Sequence, residues 1–533
     1  MIQNDTLEPA IVNTPPDSNS DLATAIGKNT IFGVISKLAQ IATRLLTVPI
    51  VISHLGLDGY GIWAIIVTAS AYMRFGSIGV KSAFQKYVAE ATGNGDYETA
   101  NKLLSTGAAA MAVFSFAGLI PTAIFSRQLA HMAGVPPQFL TSAAGAISML
   151  AVIMMTANVG SSYEAIVMGA HRIDLPRKFT TVFTFAEAVA IVILLYMGFG
   201  LFAMATVMGI SELGLIACCY FAARRIVPQI HLQARYVTRS VIPELIRYAG
   251  SYQIVNLLEI AYGAIAPIAV LRVFGAETAG VFAIVGRLQG SSAMFPDAMM
   301  LPILSSGAKV FASGSVEEMR RLIAKAIKVM LAITMFPLSF TAVFGTQILY
   351  AWTGTSSPLY PLTLCLTGAA IFFAALSLLG LVLYRVSGKA LLDNIRQVLR
   401  IAVIFSVALF ARRLGFTGVL VGLAVADMVG MIFMGYAISA TFKGFSVKTV
   451  ARDFGKLAIA TTAILTVGAL AAHIPLFQTS NSRLLAISHV GLGCVGCLVA
   501  AWPALYLTRF ITPGEGRMLV GMVPRWFRPA PNV

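Results

Sequence analysis

The sequence predicts an all-α membrane protein that crosses the bilayer about fourteen times. Three observations carry that reading. The 533 residues are 58% hydrophobic and only 11% charged, with a mean hydropathy of +0.82, far from the balance of a soluble domain. Apolar stretches of about twenty residues or more, long enough for roughly 30 Å of hydrocarbon, recur along the whole chain. The 38 Lys and Arg crowd into alternate connections rather than scattering.

In chain order, residues 1–24 form a polar, Pro-containing segment with acids but no Lys or Arg, the composition of a disordered tail rather than of a signal peptide. An N-terminal lobe over 25–225 holds spans at 29–53, 60–82, 101–126, 139–169, 178–198 and 200–223. A linker over 226–245 follows. The C-terminal lobe over 246–441 holds spans at 246–271, 278–307, 321–345, 361–385, 391–411 and 416–441. Two further helices, at 455–473 and 483–508, fill 442–508, and 509–533 is a tail. No connection is long enough to hold a folded catalytic domain. All five cysteines lie in apolar stretches, so no disulfide framework is implied.

With both termini cytoplasmic, the basic clusters Arg172/Arg177/Lys178, Arg224/Arg225/Arg235/Arg239/Arg247 and Arg320/Arg321/Lys325/Lys328 all fall inside. Arg127, Arg272, Arg412, Arg413 and Arg483 fall outside. The net charge of +16 is thereby read as topology, and no nucleic-acid partner is expected. Four cations remain, Lys37, Arg44, Arg74 and Arg287, each in the middle of an apolar stretch; the others, Arg396 and Arg400 included, are counted on the inner side. A charge at mid-membrane costs about 2.5–3.5 kcal/mol on insertion scales, so these four are expected to face a wet cavity or a partner.

An internal repeat relates the two lobes. LGLDGYGIWAI (55–65) aligns without gaps with FGAETAGVFAI (274–284), matching Gly56 with Gly275 and Gly61 with Gly280. The same register carries on to Gly95/Gly314, Glu98/Glu317 and Leu103/Leu322. Six helices separate the copies, an even number, so the lobes run parallel.

The stretch from Gly56 to Leu104, with its LG-x-D-x-YG-x-W turn (55–63), FGSIG (75–79) and the Gly95-Asp96 loop, resembles the polysaccharide transporter branch, the Wzx-type flippases, of the multidrug/oligosaccharidyl-lipid/polysaccharide (MOP) exporter superfamily. MMLPILSSGAKVFASGSVEEMRRL (299–322) is similar in the second half. The resemblance implies a MATE-like fold of two six-helix lobes plus two helices, with helices 1, 2, 7 and 8 lining a central cavity. It implies transport rather than enzymatic activity: undecaprenyl-diphosphate-linked oligosaccharide moved across the bacterial inner membrane by alternating access, for O-antigen, capsule or exopolysaccharide. The polymerase and chain-length regulator of that pathway are the implied protein partners, and no cofactor is expected beyond a coupling H⁺ or Na⁺.

Lys37 and Arg44, seven residues apart, share one face of helix 1. Ser70, Arg74, Ser77 and Lys81 make a polar stripe on helix 2, and Arg287 begins a shorter one with Ser291 on helix 8. Guanidinium offers paired donors to a diphosphate, which makes these the expected substrate-binding cations. Glu259 corresponds in the repeat to Gln40, between Lys37 and Arg44, and shares a face with Tyr252, Asn256 and Gly263. It is expected to pair with a helix-1 cation in one state and bind the coupling ion in another, with Asp297 a second gating candidate. Glu187 is a further intramembrane acid, and Glu212 and Asp427 are read as members of structural pairs. Pro49, Pro267, Pro296, Pro302 and Pro337 are expected to interrupt their helices.

Three motifs are set aside. GLGCVG (491–496) and Cys494-x-x-Cys497 lie inside the last helix, where small-residue packing explains them better than a nucleotide or metal site. The histidines form no catalytic or zinc constellation. Competing functions are a lipid II flippase, a MATE-type drug or cation antiporter, which a cationic pocket disfavours, and a glycan polymerase or ligase, which would need a large outer loop.

Overall fold

The computed structural model describes residues 19–74, 78–312, 315–387, 391–441, 447–474 and 482–511; the side chains of residues 19–42 and of Arg44 lie outside that description. Fourteen α-helices fill it, with no strand among the described residues. They are α1 (Asn19–Met73), α2 (Ile78–Asn94), α3 (Tyr97–Ile124), α4 (Ser126–Met132), α5 (Pro137–Gly169), α6 (Asp174–Tyr196), α7 (Leu201–Ile226), α8 (Ile242–Ala312), α9 (Val316–Thr353), α10 (Tyr360–Ser387), α11 (Leu391–Leu409), α12 (Ala411–Thr441), α13 (Val447–Ala472) and α14 (Ser482–Leu507). Eleven stretches of described helix are long and apolar enough to cross a membrane.

Fourteen helices are not the fourteen expected spans one for one. Spans 1 and 2 share α1, and spans 7 and 8 share α8, each turning at one glycine. Gly56 has φ 69°, ψ 177° and Gly275 has φ 87°, ψ 177°. A positive φ with an extended ψ is open essentially to glycine alone, which is why the repeat keeps both. The same turn recurs at Gly415 (φ 70°, ψ 176°) near the start of α12. The expected proline interruptions are corrected by this: α1 runs helical through Pro49 and α9 through Pro337, and the non-helical residue inside α8 is Gly275. A proline costs one backbone hydrogen bond and a local clash, whereas these glycines leave the helical conformation altogether and break the helix.

The Gly95-Asp96 loop has an equally local cause. Gly95 sits at φ 79°, and the Asp96 carboxylate accepts a hydrogen bond from the Thr99 N–H at 3.1 Å, capping α3 and holding its carboxyl below the usual range. At the repeat-related start of α9, Ser315 caps instead, accepting from Glu318 N–H at 3.3 Å.

The chain divides into two compact units, one drawn from residues 1–50, 76–120 and 149–246, the other from 51–75, 121–148 and 247–533. In the first, Phe84 and Val88 of α2, Leu104 and Met111 of α3, and Ile166 and Val167 of α5 share a core with Val227 and Ile230. Those last two belong to the linker, which is strapped to α3 side chain by side chain. Asn101 Nδ2 donates to Gln229 O, and Asn101 Oδ1 accepts from His231 N–H. Ser105 accepts from Gln233 N–H, and Thr106 accepts from Thr238 N–H. Three polar residues of α3 thus pair with backbone groups of a partly buried loop.

In the second unit, α9 joins two clusters. Met319, Ile323 and Met330 pack with Leu379, Ile438 and Leu457. Phe344 packs with Ile464 and Cys497. A Cβ on Gly496 would come within 2.7 Å of the Ala471 Cβ and one on Gly493 within 2.6 Å of the Phe344 ring, so these two glycines serve close packing of α14 on α13 and α9, whereas Gly491 borders open space.

Candidate functional site

The two repeat segments meet within the second unit. A Cβ placed on Gly61 would overlap the carbonyl oxygen of Ala276 and the amide nitrogen of Gly280, and one placed on Gly280 would overlap the carbonyl of Leu57. The repeat-matched glycines are therefore the point where two helix backbones touch. Beside that crossing lies a cavity of about 400 Å³ lined by Tyr60, Thr68, Tyr72, Phe282, Gly286 and Arg287, among others.

Arg287 is half-buried in this wall and makes no ion pair among the described residues. Tyr60 is 1% exposed; its hydroxyl meets no partner at hydrogen-bond distance and angle, and the cation acting on it is Arg287. The Tyr60 hydroxyl and the Arg287 guanidinium thus lie close enough to interact. Two residues on, Gln289 is fully buried and satisfied, donating to Leu364 O at 2.9 Å and accepting from the Thr341 hydroxyl at 3.0 Å. That anchor ties α8 to α9 and α10 and fixes the rotation that turns Arg287 to the cavity. A Cβ on Gly286 would meet nothing within 4 Å, so the wall beside Arg287 is open. A guanidinium and a phenol that hold unused hydrogen-bonding capacity in an apolar cavity suit an anionic oxygen ligand.

The other expected residues are placed less centrally. Lys37 and Arg44 fall on α1, their side chains outside the described residues, as is the Tyr252 side chain; Ser77 lies outside altogether. Arg74 is exposed at the end of α1, one turn past Ala71 of the cavity wall, and is not itself among the lining residues. Glu259 is exposed on α8, and the described cation it acts on is Arg396 of α11. Asp297 is exposed beside the buried Pro296. The polar stripe on helix 2 is partly structural: the Ser70 hydroxyl donates to Val67 O at 2.7 Å, and Lys81 pairs with Glu164 of α5 at 2.5 Å. Ser291 donates to the Arg287 carbonyl at 3.2 Å.

The inventory of buried cations needs correction. Arg396 and Arg400, counted as inner-side residues, are 4% and 7% exposed within the bundle. Arg396 pairs with Asp393 and donates to the Ser377 hydroxyl at 3.1 Å. Arg400 pairs with Asp427, stacks on the Tyr262 ring at 3.8 Å and donates to Gln397 at 2.7 Å, while the Tyr262 hydroxyl donates to Asp427 at 2.9 Å. The sequence carried a signal that proximity to a helix end obscured: Asp393, Arg396, Gln397 and Arg400 recur at helical spacing on one face of α11. Asp427 does belong to a structural pair.

No family model and no curated protein matches the sequence. Solved structures do match the fold. The lipid II flippase MurJ in an inward closed conformation superposes with a TM-score of 0.65 at 13% identity, covering 90% of this chain and 98% of that one. An inward-facing multidrug resistance MATE family transporter of the MOP superfamily gives 0.60 at 18% identity, covering 77% of this chain and 96% of that one. A MOP superfamily transporter from Pyrococcus furiosus, described by the reverse polarity of its binding pocket, gives 0.54 at 17% identity, covering 79% and 96%. The chain has the fold of MOP superfamily transporters.

Proposed function

We propose, on the premise of that fold, that the chain is a flippase for undecaprenyl-diphosphate-linked oligosaccharide. It would work by alternating access in the bacterial inner membrane with both termini cytoplasmic, supplying a surface polysaccharide pathway and its polymerase and chain-length regulator. The observation that carries the reading is Arg287, a cation without an ion-pair partner among the described residues in a cavity whose other groups are apolar or neutral. An intramembrane charge of that kind is costly unless a ligand uses it, and a diphosphate is the anion that a lipid-linked glycan brings to mid-membrane. Lys37, Arg44 and Arg74 are proposed to extend the same phosphate path, with Glu259 and Asp297 as sites where H⁺ or Na⁺ would act on it.

Arg287→Ala and Arg74→Ala are expected to stop surface polysaccharide in the native host while the inserted protein stays at normal abundance. Unchanged polysaccharide in both would overturn the reading. A lipid II substrate is the second reading, favoured by the length over which MurJ matches. It would be supported by rescue of a strain depleted of its lipid II flippase.

A further inference from the structure

The second unit carries another cavity, of about 580 Å³, between α8 and α11. Its walls are apolar, Ile265, Ile268 and Phe405 among them, and its polar groups are two arginines, Arg272 and Arg412. Each arginine stands three residues before a left-handed glycine, Gly275 and Gly415, and the two turns touch: the rings of Phe274 and Phe416 meet edge to face at 5.8 Å. Two helix breaks of the same backbone conformation thus bring two arginines into the wall of one apolar groove. Both arginines are exposed, and neither has an ion pair or hydrogen bond among the described residues. No carboxylate lines the groove with them, so an anion is the ligand charge that complements the pair.

These are also two of the few basic residues that the charge count leaves on the side poor in Lys and Arg, so topology does not explain them. We propose that this groove binds an anionic phospholipid of the adjoining leaflet, phosphate on Arg272 and Arg412 and one acyl chain along Ile265, Ile268 and Phe405. A free phosphate would leave the apolar walls without a role, and an uncharged lipid would leave the arginines without one. The site is distinct from the Arg287 cavity and does not depend on which substrate that cavity takes.

Native mass spectrometry of the full chain tests it, after exchange into detergent containing phosphatidylglycerol, phosphatidylcholine or undecaprenyl phosphate. Wild type should keep phosphatidylglycerol adducts at least five-fold above phosphatidylcholine. Arg272→Gln/Arg412→Gln should lose that preference, whereas Arg127→Gln should keep it. Ala408→Trp, which fills the groove and leaves both charges, should also lose it, and Arg272→Lys/Arg412→Lys should retain part, showing a folded protein. Equal phosphatidylglycerol retention in the double Gln variant, or retention of undecaprenyl phosphate in preference to phosphatidylglycerol, would overturn the proposal.

Discussion

Arg287 and Arg400 lie in the same compact unit and solve opposite problems. Arg400 is sealed among Asp427, Tyr262 and Gln397, its charge matched and its guanidinium plane covered by the Tyr262 ring. Arg287 borders open space and has a lone buried phenol hydroxyl for company. Burial alone therefore does not mark a functional cation, since the more deeply buried arginine is the structural one. What distinguishes the functional candidate is charge left uncompensated at a cavity wall.

The largest expected effect breaks the paired side. Asp427→Asn leaves the Arg400 guanidinium uncompensated in the bundle and should cost about 3–5 kcal/mol. It should be read as a strongly lowered melting temperature in detergent, and Arg400→Gln/Asp427→Asn should recover most of the loss. A double variant no better than the single would sink the pairing account.

Next comes the frame that holds the cavity. Gly280→Val drives a side chain into the Leu57 carbonyl and should cost about 1–3 kcal/mol by overpacking, while Gly290→Val, where a Cβ meets open space, should cost less than 1 kcal/mol. Equal melting temperatures for the two variants would contradict the close crossing.

A smaller loss, about 1–2 kcal/mol, is expected for Gly275→Ala, because its backbone conformation excludes a Cβ whatever the surrounding space. Gly286→Ala, at an ordinary helical glycine of the same helix, should be neutral or slightly stabilising; destabilisation by both alike would point to packing rather than backbone strain.

The smallest stability effect sharpens the unpaired side. Arg287→Gln should leave the melting temperature within error, about 0.5 kcal/mol, or raise it, since no described ion pair is broken. Gly286→Phe should fill the cavity at similarly low cost. Both should abolish transport, assayed as surface polysaccharide in the host. A melting loss for Arg287→Gln comparable to that of Asp427→Asn would erase the distinction between the two arginines.

Much of this was legible in the residues. The hydrophobic spans, the parallel repeat and the prominence of Gly56, Gly61, Gly275 and Gly280 follow from composition and an ungapped alignment. The structure gives the glycines their reasons: two hold helix breaks in a backbone region closed to other residues, and two permit a backbone contact. The repeat did not reveal the third such glycine, Gly415, because Leu414-Gly415-Phe416 lies beyond the aligned segment. Arg396 and Arg400 were misplaced because distance from a helix end says little about which face a side chain presents or what waits across the interface.

The sequence by itself determined that the chain is helical, membrane-spanning and built from a repeated unit, since those properties are written in local hydrophobicity and periodic glycine. Only the tertiary structure decided which arginines are neutralised and which are left to a ligand. Compensation of charge is a property of neighbours: Asp427 reaches Arg400 from twenty-seven residues away, across two helices that the chain order alone does not face together.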